Sequence, residues 1–425
     1  MQTARPPCST PLRMLVAGLL GWACTCGVYA QQTLIIAAYP AVDEIARAAI
    51  PMWKKLHPDV EIKVISRAFD DHHTAMTTAL STASNLPDVM ALEKGYVARF
   101  SRGGGLENVG DAPYNFKAKQ AQFVPYAVQQ GMSLNGDIVA VPADIGPGTL
   151  LYRDDILKKA GVTIGELTQS WESYVETGLK IKAATGAYLV ANAQDVKEIV
   201  IRSGIAPGDG LYLDSQRKVL VDTPRFVRAF TLAKQIRANK LDAKLNAWTP
   251  EWAEAFKRGK LAAPFSGAWL AGHLNNWLAP ATKGMWRASQ LPNQTYASWG
   301  GTFYAIPKQA KNKTLAWEFV QLMTQRGDMQ LQAFKSQDAF PALLEVYSDP
   351  FFDQPIEFLG GQKARLLWRD ASQKIGAIQV DKLDNIAEEI INTELDKVLE
   401  QNKDIPTALA DAKRLLEHRA NRGKR

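Results

Sequence analysis

At 425 residues, 46% hydrophobic and 22% charged, the chain is too long for one ordinary core and too apolar to be disordered or fibrous. The formal net charge is +7, but basic and acidic residues alternate along the whole length. Only 413–425 forms a basic run, which suits a solvated helix end better than a nucleic-acid footprint with its interleaved aromatics.

Residues 1–30 read as an export signal. Arg5 and Arg13 precede an apolar run at 14–23, and Val28-Tyr29-Ala30 offers small residues for cleavage before Gln31. The run is too short for a membrane anchor. Cleavage there removes Cys8, Cys24 and Cys26, all the cysteines present, so the mature chain has no disulfide and no thiol chemistry. A lipid on Cys24 or Cys26 is the rival reading, although the residues before each make poor lipidation signals.

Residues 33–38 form a buried strand, and 42–56 a helix on the spacing of Ile45, Ala49 and Trp53, ended by His57-Pro58. Val60, Ile62 and Val64 alternate with polar residues as a half-exposed strand. A helix over 74–83 is capped by Asp70 or Asp71, and 88–92 is a third strand. This alternation predicts a mostly parallel sheet flanked by helices, whose ligand sits beyond the carboxyl ends of the strands, near Tyr39, 69–71 and 93–95. Asn135-Gly136 signals a hairpin. A second alternation follows: a helix over 171–184, strand-like residues at 188–191, helices opened by Thr223-Pro224 and Thr249-Pro250, and strands near 261–265 and 299–306. From Leu315 onward the pattern is mainly helical.

No GxSxG elbow, HExxH helix or phosphate-cradling glycine loop is present. His72 and His73 adjoin Asp70 and Asp71, but adjacent helical residues diverge by about 100° and chelate one ion poorly, so an exposed first helical turn is expected there instead of a metal site.

Seven segments occur in a telling order: 53–60 (WKKLHPDV), 69–80 (FDDHHTAMTTAL), 86–89 (LPDV), 141–162 (VPADIGPGTLLYRDDILKKAGV), 259–272 (GKLAAPFSGAWLAG), 298–324 (SWGGTFYAIPKQAKNKTLAWEFVQLMT) and 340–342 (FPA). Together they resemble the carbohydrate-binding group of extracytoplasmic solute-binding proteins, the maltose-binding-protein-like capture subunits of bacterial ABC importers. The resemblance implies an α/β, two-lobe periplasmic-binding-protein fold, each lobe a mostly parallel sheet flanked by helices, with the ligand in the cleft between them. The first lobe is expected over 33–143 and 302–340, the second over 144–301 and 341–425. It also implies a periplasmic monomer that hands a mono- or oligosaccharide to membrane permease subunits, with no cofactor and no catalytic step.

A sugar site needs flat aromatic faces for the C–H patches of the ring and planar polar groups for its hydroxyls. Eleven tryptophans exceed that need, and Trp53, Trp317 and Trp368 fall at helical core spacing. Trp269 after a strand, Trp299 before the side-chain-free Gly300, and Trp248 in a loop are the aromatic candidates, with Tyr39 and Tyr152. Glu93, Asp144 and Asp71 are candidate acceptors, set against surface-loop, turn-forming and helix-capping roles respectively. Asn192, at the end of a second-lobe strand, completes the set. Two rivals remain: the same fold holding a polyamine, phosphorylated polyol or iron chelate, for which Lys94 leaves room, and a secreted hydrolase using Asp144 with Glu93.

Overall fold

The computed structural model describes residues 32–422 except 103, 134, 206–208, 379–380 and 382. The expected export signal, with the rival lipid sites, lies outside the described residues. Among the described residues there are ten strands: β1 (Gln32–Ala38), β2 (Val60–Ser66), β3 (Val89–Glu93), β4 (Val141–Pro142), β5 (Asp144–Ile145), β6 (Gly148–Arg153), β7 (Phe265–Gly267), β8 (Trp286–Ser289), β9 (Thr302–Ala305) and β10 (Phe340–Pro341).

The first sheet runs β2-β1-β3-β9-β4. β1 pairs in parallel with β2 and β3, while β9 lies antiparallel between β3 and β4. Period-two alternation sends Leu34, Ile36 and Ala38 of β1, Val89 and Ala91 of β3, and Tyr304 of β9 into one apolar layer. Ala37, Met90, Leu92, Phe303 and Ala305 enter a second layer behind it. Both faces are therefore dry, and helices cover them. The helix expected over 42–56 is two, Val42–Ala48 and Ile50–Leu56. Pro51 lacks the N–H that a continuous helix needs, and its ring crowds the preceding turn.

The second lobe's named strands form the sheet β7-β6-β8, in which both pairings are antiparallel. β6 leaves the first lobe, whereas β7 and β8 run back towards it, so they oppose β6. The parallel pairing expected here survives beside them as the single bridges Tyr188↔Leu261 and Val190↔Asp242. Helices Trp171–Thr185, Ala193–Arg202 and Pro224–Ala238 pack against this sheet with the C-terminal pair Asp384–Glu400 and Ile405–Arg422. Capping boxes at Thr163/Glu166, Ser170/Ser173 and Asn192/Asp195 fix where three of its helices begin, each worth about 1 kcal/mol.

Three segments pass between the sheets: 142–148, 297–302 and 340–343. They are bound to one another. β5 pairs with β10, Trp299 N–H donates to Gly146 O at 2.7 Å, and Gly148 N–H donates to Ala297 O at 2.8 Å. Across from this crossing, helix Asp384–Glu400 lies against helix Lys94–Arg102 of the first lobe. Among the described residues, no helix is long and apolar enough to cross a membrane.

Candidate functional site

A cavity of about 550 Å³ opens between the crossing segments and the facing helices. Its floor is Ser298, Trp299 and Gly300. One wall comes from the end of β3 and the helix after it, with Glu93, Lys94, Tyr96 and Arg99; Phe69 and Gln130 lie beside them. The other comes from the second lobe: Arg202, Tyr212, Trp248 and the helix residues Asp384, Asn385, Glu388, Glu389 and Asn392.

The aromatic part is built from the loop before helix Pro250–Lys257 and the turn after β7. Trp248 stacks on Trp269 with ring centroids 5.7 Å apart and planes at 20°, and Trp252 and His273 flank it. Trp269 Nε1–H donates to Trp299 O at 2.9 Å. The backbone there must lack side chains: a Cβ on Gly267 or Gly300 would fall 2.3 or 2.8 Å from that indole nitrogen. Trp248 has φ of 68° and is 51% exposed. A bulky residue in the left-handed region costs about 1–3 kcal/mol and persists only where its surroundings hold it, which the flanking rings do.

The polar part spans both lobes. Lys94 Nζ donates to Ser298 O at 3.0 Å. Burial, then Arg202, lowers the Lys94 ammonium, and burial raises the Glu93 carboxyl against the pull of Lys94. Glu93 accepts the Gly95 N–H at 2.6 Å. Arg202 is bound twice to Glu198. Burial works to raise the Glu198 carboxyl, but Lys197 and Arg202 outweigh it and hold it at about 2. Asp384 is pushed up to about 8 by burial first, with Asp381 and Glu388 adding to it. Its Oδ2 accepts the Asp381 N–H, while its buried Oδ1 has no hydrogen-bond partner among the described residues.

A carboxyl that holds its proton more tightly when folded contributes stability below its unfolded value of 3.8, and that contribution is lost as pH rises towards about 8. His73 and His273, both lowered to about 4 by burial, act in the opposite sense between 4 and 6.5. Above about 7 the lowered Lys94 ammonium opposes Asp384, because the unfolded chain then holds the proton that the folded one has lost. The melting temperature is therefore expected to fall more, or rise less, between pH 6.5 and 8 in the wild type than in Asp384→Asn, and equal slopes would contradict the assignment.

Of the residues singled out in the sequence, Glu93, Trp248, Trp299 and Gly300 line the cavity, and Trp269 backs Trp248. Asp144 does not line it: its Oδ1 accepts the Thr302 N–H at 3.1 Å across the crossing, and burial raises it to about 6. Tyr39 is buried beneath, bonded to Thr302 Oγ1 at 2.9 Å. Three others lie elsewhere. Asp71 is exposed on the first turn of helix Phe69–Thr82. Tyr152 is buried in the second sheet beside Arg287. Asn192 caps helix Ala193–Arg202, accepting the Gln194 N–H at 3.1 Å. Only the Asn192 side chain is taken up by backbone at an element's end; Asp71 does not cap its helix, whose N-cap is Ala68 with no side-chain bond.

The expected exposed first turn at His72 and His73 is also corrected, since both rings are fully buried. His72 Nε2 bonds Ala91 O, and His73 bonds Phe69 O through Nδ1 and accepts the Glu93 N–H through Nε2. These bonds, with Tyr96 stacked 3.9 Å from His73, hold the end of β3. The sequence reading missed the wall of helix Asp384–Glu400, although Asp384, Glu388 and Asn392 recur every fourth residue beside the apolar stripe of Ala387, Ile391 and Leu395. Lys94 stood out only as a charge near the strand end.

Two α/β lobes joined by three crossings, with a polar and aromatic cavity between them, define a ligand-trapping binding protein. The bacterial extracellular solute-binding protein family model matches residues 48–359, and the chain belongs to that family. It is 24% identical over 333 residues to the lactose-binding protein of Rhizobium radiobacter, covering 75% of this chain and 76% of that one. It is 23% identical over 390 residues to an arabinooligosaccharide-binding protein of Halalkalibacterium halodurans, covering 87% and 85%. The structure of an ABC-transporter-associated binding protein from B. animalis subsp. lactis, solved with β-1,6-galactobiose, superposes with a TM-score of 0.76 over 91% of this chain and 96% of that one, at 22% identity. That likeness speaks for the fold.

Proposed function

We propose that the chain is the capture subunit of a bacterial ABC importer that takes up a neutral saccharide. The observation that carries this is the pairing of a braced indole plane, Trp248 on Trp269, with a wall of mixed charge. Glu93, Asp384, Glu388 and Glu389 stand among Lys94, Arg99 and Arg202. A polyamine site would gather acids and a phosphate site would gather cations; this balance suits a ligand whose many hydroxyls both donate and accept. The names of the two relatives point the same way.

In this reading Trp248, Trp299, Gly300 and Glu93 touch the ligand, joined by Asp384, Asn385 and Asn392 from the opposite wall. Tyr39 and Asp144 hold the crossing. The lobes divide near 143, 302 and 340, and they open and close about those segments. Binding is non-covalent, since Asp144 is bonded into the crossing and does not face Glu93 across the cavity. The protein acts in the periplasm, as a monomer, against a membrane permease.

The test is calorimetric titration and thermal shift of residues 31–425 with neutral mono- and oligosaccharides, polyamines and sugar phosphates. Saturable binding of a neutral saccharide, with the sugar recovered intact, is expected. Response to polyamines or phosphates alone would overturn the ligand class, and a hydrolysis product would overturn the non-catalytic reading.

A further inference from the structure

Beyond the cavity, the aromatic surface continues. His273 meets Trp248 edge-on at 5.6 Å on one side and Trp277 at 5.7 Å and 90° on the other. Trp277 is 50% exposed, as open to water as Trp248. Single exposed aromatics are ordinary on a protein surface. This one is joined through His273 to Trp248 of the cavity wall and is fixed in place. Its Nε1–H donates to His273 Nδ1 at 2.8 Å, and burial keeps that imidazole neutral and able to accept.

The backbone beneath is a π-helical turn, Leu274–Leu278, following the short helix Leu270–His273. Such turns are rare and are frequent at functional sites. Here Leu274 and Leu278 are buried, while Asn275, Asn276 and Trp277 are all exposed together. Two planar amides beside a fixed indole face are the groups a sugar ring needs: donors and acceptors for hydroxyls, and a flat apolar plane. From 265 to 282 the chain carries no Asp, Glu, Lys or Arg, so the patch suits an uncharged ligand.

We infer that Trp277, with Asn275 and Asn276, forms an outer subsite that holds further units of a neutral oligosaccharide emerging from the cleft past Trp248. The inference rests on the saccharide reading of the cavity and adds that the ligand is longer than the cavity holds.

Arabino- and galacto-oligosaccharides of graded length, from the monosaccharide upward, are titrated into the wild type, Trp277→Ala and Trp277→Phe. Wild-type affinity is expected to keep rising with length after the cavity is filled. Trp277→Ala should bind the shortest ligand as the wild type does, which also reports that it is folded, and lose roughly 3- to 10-fold on the longest. Trp277→Phe, which keeps a flat face, should recover most of that loss. Equal affinity of Trp277→Ala for every length overturns the subsite and leaves the cavity reading standing. If uptake in cells falls while affinity is unchanged, Trp277 contacts the permease and the subsite is again overturned. If no saccharide binds the wild type, both readings fall.

Discussion

Trp269→Ala is expected to weaken saccharide binding by roughly 100-fold or more and to lower the unfolding free energy by about 2–4 kcal/mol. Trp269 acts as a positioning residue. Its ring lies under Trp248, and its N–H holds the Trp299 carbonyl, so its loss loosens two cavity residues at once. Trp248 then keeps its left-handed backbone without the ring that braces it, and relaxation to an ordinary conformation would swing the indole out of the wall. Trp269→Phe separates the two contributions, since it retains a stacking face and loses only the hydrogen bond. Its affinity should fall by about 10-fold, within the range of one lost hydrogen bond. Titration calorimetry and urea unfolding check both numbers, and unchanged affinity in Trp269→Ala would remove the aromatic wall from the mechanism.

Gly146→Ala is expected to cost about 3 kcal/mol or more, the upper range for overpacking. A Cβ at Gly146 would lie 1.8 Å from Trp299 O and 2.6 Å from Trp299 C. Both are main-chain atoms of another crossing segment, already fixed by the Trp299 N–H to Gly146 O bond, so no side chain can rotate away to make room. The two segments must separate, and the cavity floor at Ser298–Gly300 separates with them. Binding should therefore fail together with stability. Gly376→Ala is the control: nothing lies within 4 Å of its Cβ, and the change should stay within about 0.5 kcal/mol. A Gly146→Ala protein as stable as the wild type would mean that the crossing is far more pliable than its packing implies.

The first-lobe sheet was legible in the sequence because alternation and proline punctuation agree there: β1, β2 and β3 fall within a residue or two of their expected bounds. The short second-lobe strands were harder to read. Tyr188 and Val190 make single bridges, and a two- or three-residue strand has too little alternation to show its direction. The cavity was half legible. Placing candidates at strand ends found Glu93, and the side-chain-free Gly300 pointed to Trp299, but the strand-end rule also took in Asn192 and Asp144, whose side chains serve a helix cap and a crossing segment. Asp384, Glu388 and Asn392 were invisible for another reason. A polar stripe on a C-terminal helix looks like any solvated face until the helix Lys94–Arg102, from nearly three hundred residues earlier, is brought opposite it.

The position of β9 between β3 and β4 has a consequence for how the protein is made. β3 has no partner on one edge until Thr302–Ala305 arrive, because its register runs from Met90↔Ala305 to Glu93↔Thr302. At ordinary rates of synthesis, roughly 10–40 s separate the two strands at the ribosome. Throughout that interval the nascent chain carries an apolar strand edge open to any other extended segment. The first sheet is therefore complete only after about three quarters of the chain has emerged, and its N-terminal strands cannot mature as an independent unit.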